Sequence, residues 1–396
     1  MHAYPLVEAY GLKGLTLRNL AHTAGISPSL LTYRHGSRDG LLSAVFAEAR
    51  SADETAWAMR EKTFNITGTE PGHLLSIALA TVTDSITRTR QTSLMQWICF
   101  TAAEREPAAK PAAAGWPQLS VDYWTHHFVR LGVDSQLSAP FAAALTGATR
   151  IGLLADGNPL LLSWMNDFII RLCQRIGANP PSPAGDSHTR AAVEQTWRDQ
   201  PRHAPASRSD TPDRIIDAAA GLLVSHGPDA LTHRLIAEQT GISLSSMTHH
   251  FSSLDEIMLY AFERIYDRAR TASSADLPQG INIERLSQEV LPEIFRRARA
   301  RGQESVAMDE VILSAARKSE TAPLAGALMA MTGQTSTALL RSVEGLRESV
   351  DRLDGQLFRF VMTGLSEQSA HLPGPERDTW LAAQSRKFLL ACWASG

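Results

Sequence analysis

The chain repeats itself. Thirteen residues from Leu15 to Ser27, LTLRNLAHTAGIS, return as LTHRLIAEQTGIS from Leu231 to Ser243. Leucine, threonine, arginine, alanine, glycine, isoleucine and serine keep their places at an offset of 216 (241 − 25). Further on, Thr146-Gly147 matches Thr363-Gly364 and Gly157 matches Gly374, at 217. A register held over roughly 130 residues argues for two whole copies rather than one borrowed motif. Whatever fold one copy adopts is therefore expected of the other.

The second copy reads most plainly. Thr211 can cap a helix with Pro212 at its first position, where a missing N–H costs nothing. Ile215, Ile216, Ala219, Leu222 and Leu223 then share one apolar face, and Gly227-Pro228 stops the helix. Thr232 caps a second helix ending at Gly241, and Ser243 caps a third running to about His250. Ser253-Leu254-Asp255-Glu256 has the spacing of a capping box and opens a fourth. Two short helices around a glycine turn, braced by a first helix, follow the helix-turn-helix plan. On the third helix Ile242 and Met247 are expected in the core, leaving Leu244, Ser245, Ser246, Thr248 and His249 outward. In the first copy Ser27 is the cap and Pro28 the first helical residue. Ile26 and Leu31 are then core, and Ser29, Leu30, Thr32, Tyr33 and Arg34 point out.

Strand signals are scarce. Apolar residues three and four apart fill both halves, as in Leu74, Ala78, Val82, Ile86 and Leu357, Phe360, Val361, Leu365, so the predicted fold class is all-α. A proline-, serine- and charge-rich stretch without periodicity separates the copies, with a short helix expected over Thr189–Arg198. The expected organisation is a DNA-binding domain at 1–46, a helical sensor at 47–178, a linker at 179–210, a second DNA-binding domain at 211–260 and a second sensor at 261–396.

The net charge of −3 leaves no global positive field, so contact with nucleic acid has to come from local clusters. Cys99, Cys173 and Cys392 form no paired motif and read as reduced core residues. The first residues lack a basic region followed by an apolar run, and the richest apolar stretch, Leu160–Ile170, is interrupted by polar residues. A soluble cytoplasmic protein with no membrane span is therefore expected. Phosphate-binding, nucleophile-elbow and zinc-helix motifs are absent from the sequence, so no enzyme is predicted. No cofactor is predicted either. Adjacent His249 and His250 would point about 100° apart on a helix, which argues against a shared metal ion.

The run Leu231–Met258 resembles the DNA-binding domain of TetR/AcrR regulators through Thr232, Ile236, Ala237, Gly241, Ile242, Ser243, Met247, His250, Phe251, Ser253 and Ile257. Thr16, Leu20, Ala21, Ala24, Gly25, Ile26, Ser27, Leu31, Ser37 and Leu41 repeat that pattern in the first copy. There are departures. Thr32 and Thr248 stand where the family places a tyrosine, His35 replaces the closing aromatic, Leu254 replaces a lysine, and the first copy begins part-way into helix 1. The resemblance implies a double-stranded DNA operator met by Thr16, Arg18, Ser27, Ser29, Leu30, Thr32, Tyr33, Arg34 and Arg38. In the second copy it implies Thr232, His233, Arg234, Ser243, Ser245, Ser246, Thr248 and His249. It further implies a small apolar or amphipathic effector near Trp97, Phe100, Trp124, Met308, Met329, Phe358 and Met362. Family members pair as two-fold dimers through their last two helices. Here the helices near Ala139–Ala155 and Leu160–Ile176 are expected to pack on those near Asp351–His371 and Glu376–Trp393, making one chain a pseudo-dimer; a homodimer of chains is the other possibility. Repression is the expected mode. A helical adaptor with decayed DNA-binding units is the alternative function.

Overall fold

Small hydroxyl side chains set where the helices begin. Thr16, Ser27 and Ser37 accept hydrogen bonds from the backbone N–H groups of Asn19, Leu30 and Gly40. Thr232, Ser243 and Ser253 do the same for Leu235, Ser246 and Glu256. Each satisfies a donor that has no partner within its own helix. The computed structural model describes residues 2–64, 70–177, 210–274, 280–300, 302–317 and 322–393, with Ala192 and Gln195. The helix expected over Thr189–Arg198 lies outside the described residues, those two apart.

The first half comprises α1 (Ala3–Gly14), α2 (Leu17–Ala24), α3 (Pro28–His35), α4 (Arg38–Thr63), α5 (His73–Ile86), α6 (Arg90–Ala102), α7 (Trp116–Leu131), α8 (Ser138–Ala155) and α9 (Pro159–Arg175). The second comprises α10 (Thr211–His226), α11 (His233–Thr240), α12 (Leu244–His250), α13 (Leu254–Ser274), α14 (Leu291–Ala300), α15 (Gly302–Arg317), α16 (Ala322–Met331), α17 (Gln334–Arg341), α18 (Arg352–Gln368) and α19 (Gly374–Trp393). Among the described residues the only β-type pairing is an isolated bridge between Ile281 and Val343, so the fold is all-α. Helices α11, α12 and α13 start at 233, 244 and 254, each 216 residues after α2, α3 and α4 at 17, 28 and 38. The α10 helix begins at Thr211 itself, with Asp210 rather than Thr211 in the cap position. The expected boundaries at 46/47 and 260/261 fall inside α4 and α13, which run unbroken from the helix-turn-helix into the helical body.

The core centres on α8, which packs against α5, α7 and α9 of its own half and along α18 of the other. Trp124, Phe128 and Phe141 meet edge to face between α7 and α8, each fully buried. Burying a side chain of this size contributes about 1.5–3 kcal/mol. Among the described residues the stretch Ser135–Ala155 is also the longest apolar helical segment, 21 residues at a mean hydropathy of 1.2. It corrects the expectation that nothing in the sequence reaches membrane-spanning length and that Leu160–Ile170 is the richest run. Its apolar surface is buried inside the protein, against its neighbours in the bundle.

The contact between α8 and α18 is close because glycines face it. A Cβ on Gly147 would lie 2.5 Å from Cβ of Phe360, and one on Gly364 would lie 2.6 Å from Cβ of Ala143. Polar contacts frame this seam. Arg150 donates to both carboxylate oxygens of Glu367 at 2.7 and 2.8 Å, and Trp164 donates to Gln356 at 2.6 Å. Arg171 and Arg175 of α9 converge on Asp354, a fully buried carboxylate at the start of α18.

Candidate nucleic-acid interface

In the first helix-turn-helix, α2 and α3 meet at Gly25, which ends α2 in the left-handed region at φ +65°. Gly241 does the same between α11 and α12 at φ +70°. A side chain at either position would be strained, which explains why glycine stands in both turns. Leu20, Ala21 and Leu31 hold the first pair of helices to the core, and Ile236 and Met247 hold the second. The hydroxyl pattern is duplicated in detail. Ser27 and Ser29 lie 3.0 Å apart through their Oγ atoms, as do Ser243 and Ser245.

The outward faces differ. On α3, Ser29, Leu30, Thr32, Tyr33 and Arg34 are exposed, with Tyr33 at 91%. On α12, Leu244, Ser245, Thr248 and His249 are exposed, whereas Ser246 is half-buried. Thr32 and Thr248 turn their hydroxyls back to the carbonyls of Pro28 and Ser245. Arg18 is exposed on α2, and His233 is half-buried on α11. Arg234 is exposed too, but its Nε donates to Glu238 at 2.8 Å, one turn along the same helix. The first face is thus hydroxyl, aromatic and cationic. The second is hydroxyl and imidazole, with a carboxylate beside its arginine.

Four expectations need correction. Ile26 is 38% exposed rather than core, because it precedes the Ser27 cap and lies outside the helix that Leu31 anchors. Ile242, in the same position of the second unit, is only partly buried. Arg38 does not project towards DNA as a free cation. Its guanidinium is bonded to Glu106 at 3.0 and 3.1 Å and to the carbonyl of Leu12. The capping box is half made: Ser253 accepts from Glu256 N–H, but the Glu256 carboxylate accepts from Ser252 instead of Ser253.

Residues proposed to meet an effector separate into three groups. Trp97, Met308 and Met329 line one cavity of about 110 Å³ with Phe262, Tyr266 and Arg359. Phe100 packs on Trp116, Phe358 on Trp393, and Met362 beside Ser385, so these three are core rather than cavity wall. Trp124 borders a smaller cavity of about 30 Å³ in the first half. That space is bounded by Arg60, whose guanidinium bonds Asp84, Ser85 and Thr89, and by Asp53, whose carboxyl burial pushes towards neutrality against hydrogen bonds from Trp116 and Trp57.

Both helix-turn-helix units are fastened to the same supports. Arg317 of α15 donates to Val7 O of α1 and to Asp229 beside α10. Lys13 reaches the carbonyl of His226 at 3.1 Å, tying the end of α1 to the end of α10. Arg105, just after α6, bonds Glu310 of α15 and the carbonyl of Val224. Burial raises the pKa of Glu310, and Arg105 opposes that shift. Sequence reasoning missed these clamps, since their partners are between 88 and 310 residues apart.

Residues 215–261 match the family model of bacterial regulatory proteins, tetR family. The matched stretch runs from within α10 to within α13 and contains the whole second helix-turn-helix. It supports a DNA-binding transcriptional regulator of the tetR family. No family model matches the N-terminal region, and no curated protein matches the chain. The asymmetry follows the residues. The tetR-like unit at 215–261 has an unbroken 16-residue first helix and a buried Phe251, where the first unit has His35 and a first helix kinked at Gly11.

Proposed function

We propose that the chain is a tandem regulator of the tetR type, in which two helix-turn-helix units on one polypeptide read one operator as a pseudo-dimer. The observation that carries this reading is the shared register of the two units. Their capping hydroxyls, turn glycines and helix starts coincide at an offset of 216. The expected division into DNA-binding domains, sensors and linker goes with it. Leu30 and Tyr33 on one recognition helix correspond to Ser246 and His249 on the other, so the two half-sites differ in sequence and the best operator is asymmetric or quasi-palindromic.

The cavity bordered by Trp97, Met308 and Met329 supports a small, mainly apolar effector. It lies among α6, α8, α13, α15 and α18, and α15 carries the Arg317 clamp to both DNA-facing units. An effector that favours one spacing of those units shifts DNA affinity only by its differential binding to the two states. Repression released by effector follows as the working mode.

In vitro selection from random duplexes, followed by mobility shift, tests the reading. An enriched site with two unlike halves is expected. A strictly symmetric optimum would defeat the pseudo-dimer, and no shift with any duplex at low salt would leave the adaptor reading in its place.

A further inference from the structure

The seam between α8 and α18 relates equivalent positions across a pseudo-two-fold axis. Arg150 and Glu367 are 217 residues apart, the offset at which the late parts of the two halves correspond. The same offset links Gly147 to Gly364 and Ala143 to Phe360, and the close approaches obey it reciprocally: Gly147 meets Phe360 while Gly364 meets Ala143. Each contact therefore has its image, as in an isologous interface. At Arg150 and Glu367 the image of the residue is its own partner, so this pair sits on the axis.

A residue on such an axis would face its own kind in a true homodimer. First half against first half would set Arg150 against Arg150. Second against second would set Glu367 against Glu367, a carboxylate already enclosed in the interface. Away from the axis the seam is unsymmetrical in the same sense. Arg171 and Arg175 pair with Asp354, but 217 residues on their equivalents are Phe388 and Cys392, and the equivalent of Asp354 is Leu137. Those three are buried where α19 passes the Ser135–Leu137 turn. A pairing of first halves would leave two arginines facing leucine, and a pairing of second halves would bury Asp354 with no cation. Orphaned buried charges of this kind are strongly destabilising, whereas the mixed pairing satisfies all of them.

We infer that Arg150 and Glu367 are pairing-specificity residues that direct each half to the unlike half, so the partner of the first half is the second half and never a second copy of itself. This inference rests on the two-unit reading above. It makes a prediction that does not involve DNA.

The test uses the full chain without DNA and measures mass by light scattering and stability by urea unfolding. The wild type is expected at 43.1 kDa, the mass of one chain. Arg150→Glu and Glu367→Arg alone each put like charges on the axis, and each is expected to lose the stable single-chain species. The double variant R150E/E367R restores the opposite pairing and is expected to return both the single-chain mass and the unfolding midpoint. Should the single variants fail to fold, their co-expression keeps the question open to decision. When the two chains pair crosswise, the substituted half of one meets the substituted half of the other, and the two unsubstituted halves meet likewise. Both axis positions then hold opposite charges again. A soluble one-to-one species of twice the chain mass is expected. Single variants that keep the wild-type mass and midpoint would overturn the inference, as would a double variant no better than either single, or co-expressed chains that never associate. Loss of operator binding with these masses intact would instead defeat the regulator reading.

Discussion

At the scale of single residues, exposed and buried positions make different predictions. Tyr33 and Arg34 on one helix, and Thr248 and His249 on the other, have their side chains in solvent. Alanine at each is expected to change folding stability by less than about 0.5 kcal/mol. On the proposed reading each costs about 1–3 kcal/mol of binding at its own half-site only. Titration against duplexes with one half scrambled checks this, since each substitution must lose its effect when its own half is scrambled. Arg60 is the opposite case. It is buried, stacked over Trp57 at 4.4 Å and bonded to Asp84, Ser85 and Thr89. Arg60→Ala removes a buried packing side chain and its hydrogen bonds to Ser85 and Thr89, while Asp84 keeps the guanidinium of Arg88, and is expected to cost about 1–3 kcal/mol of unfolding free energy. His127 supplies a pH response. Burial, with His126 and Arg130 close by, holds its pKa down at about 4. Glu61 stands 3.7 Å from its Nε2, beyond hydrogen-bonding distance, and pairs with exposed His126 at 3.0 Å. The unfolded chain binds that proton more tightly. The contribution of His127 is therefore complete above about pH 6.5 and falls as the pH drops towards 4, by at most about 3 kcal/mol. His127→Phe is expected to flatten the urea midpoint over that range relative to the wild type.

At the scale of elements, much of the fold was legible in the sequence. The capping serines and threonines marked four helix starts, at α3, α11, α12 and α13, because a cap acts within three residues of itself. What the sequence hid was non-local. Arg38 looked like a cation for DNA until folding brought Glu106, 68 residues away, against it. Ile26 looked like core because its type is apolar, yet its burial depends on which way α3 leans. The axis pair was legible in principle, since comparing equivalent positions of the two halves shows arginine opposite glutamate, but only once the seam is known to run through them. The same seam gives a prediction about packing. Gly364→Ala would push a methyl into the backbone of α8 at Ala143, and Gly147→Ala into the Cβ and ring of Phe360. Each is expected to cost about 1–3 kcal/mol through overpacking, with the Gly364 variant worse because backbone yields less than a side chain. Urea unfolding measures both.

At the scale of the whole molecule, the proposed pseudo-dimer removes a concentration-dependent assembly step. DNA binding is then expected to saturate at one chain per operator, which the mass of the complex reads directly. Filling the 110 Å³ cavity provides a second check. The space is smaller than the apolar cavities of about 150 Å³ that accept benzene or xenon, so the smaller probe, xenon, is the one expected to raise the thermal unfolding midpoint of the wild type. Met329→Trp is expected to abolish that rise while leaving the DNA shift intact. A midpoint that climbs equally in both proteins would place the binding elsewhere.

Helix α4 runs 26 residues from the cap at Ser37, beside the recognition helix, into the body without a break. At 1.5 Å per residue it is a rod of about 39 Å. Rods convert angle into travel. A tilt of roughly 5° at the far end carries the near end through about 3 Å, close to the ~3.4 Å spacing of successive bases along one strand. On the proposed reading, a rearrangement of that size in the body would move the first recognition helix by about one base step along the groove.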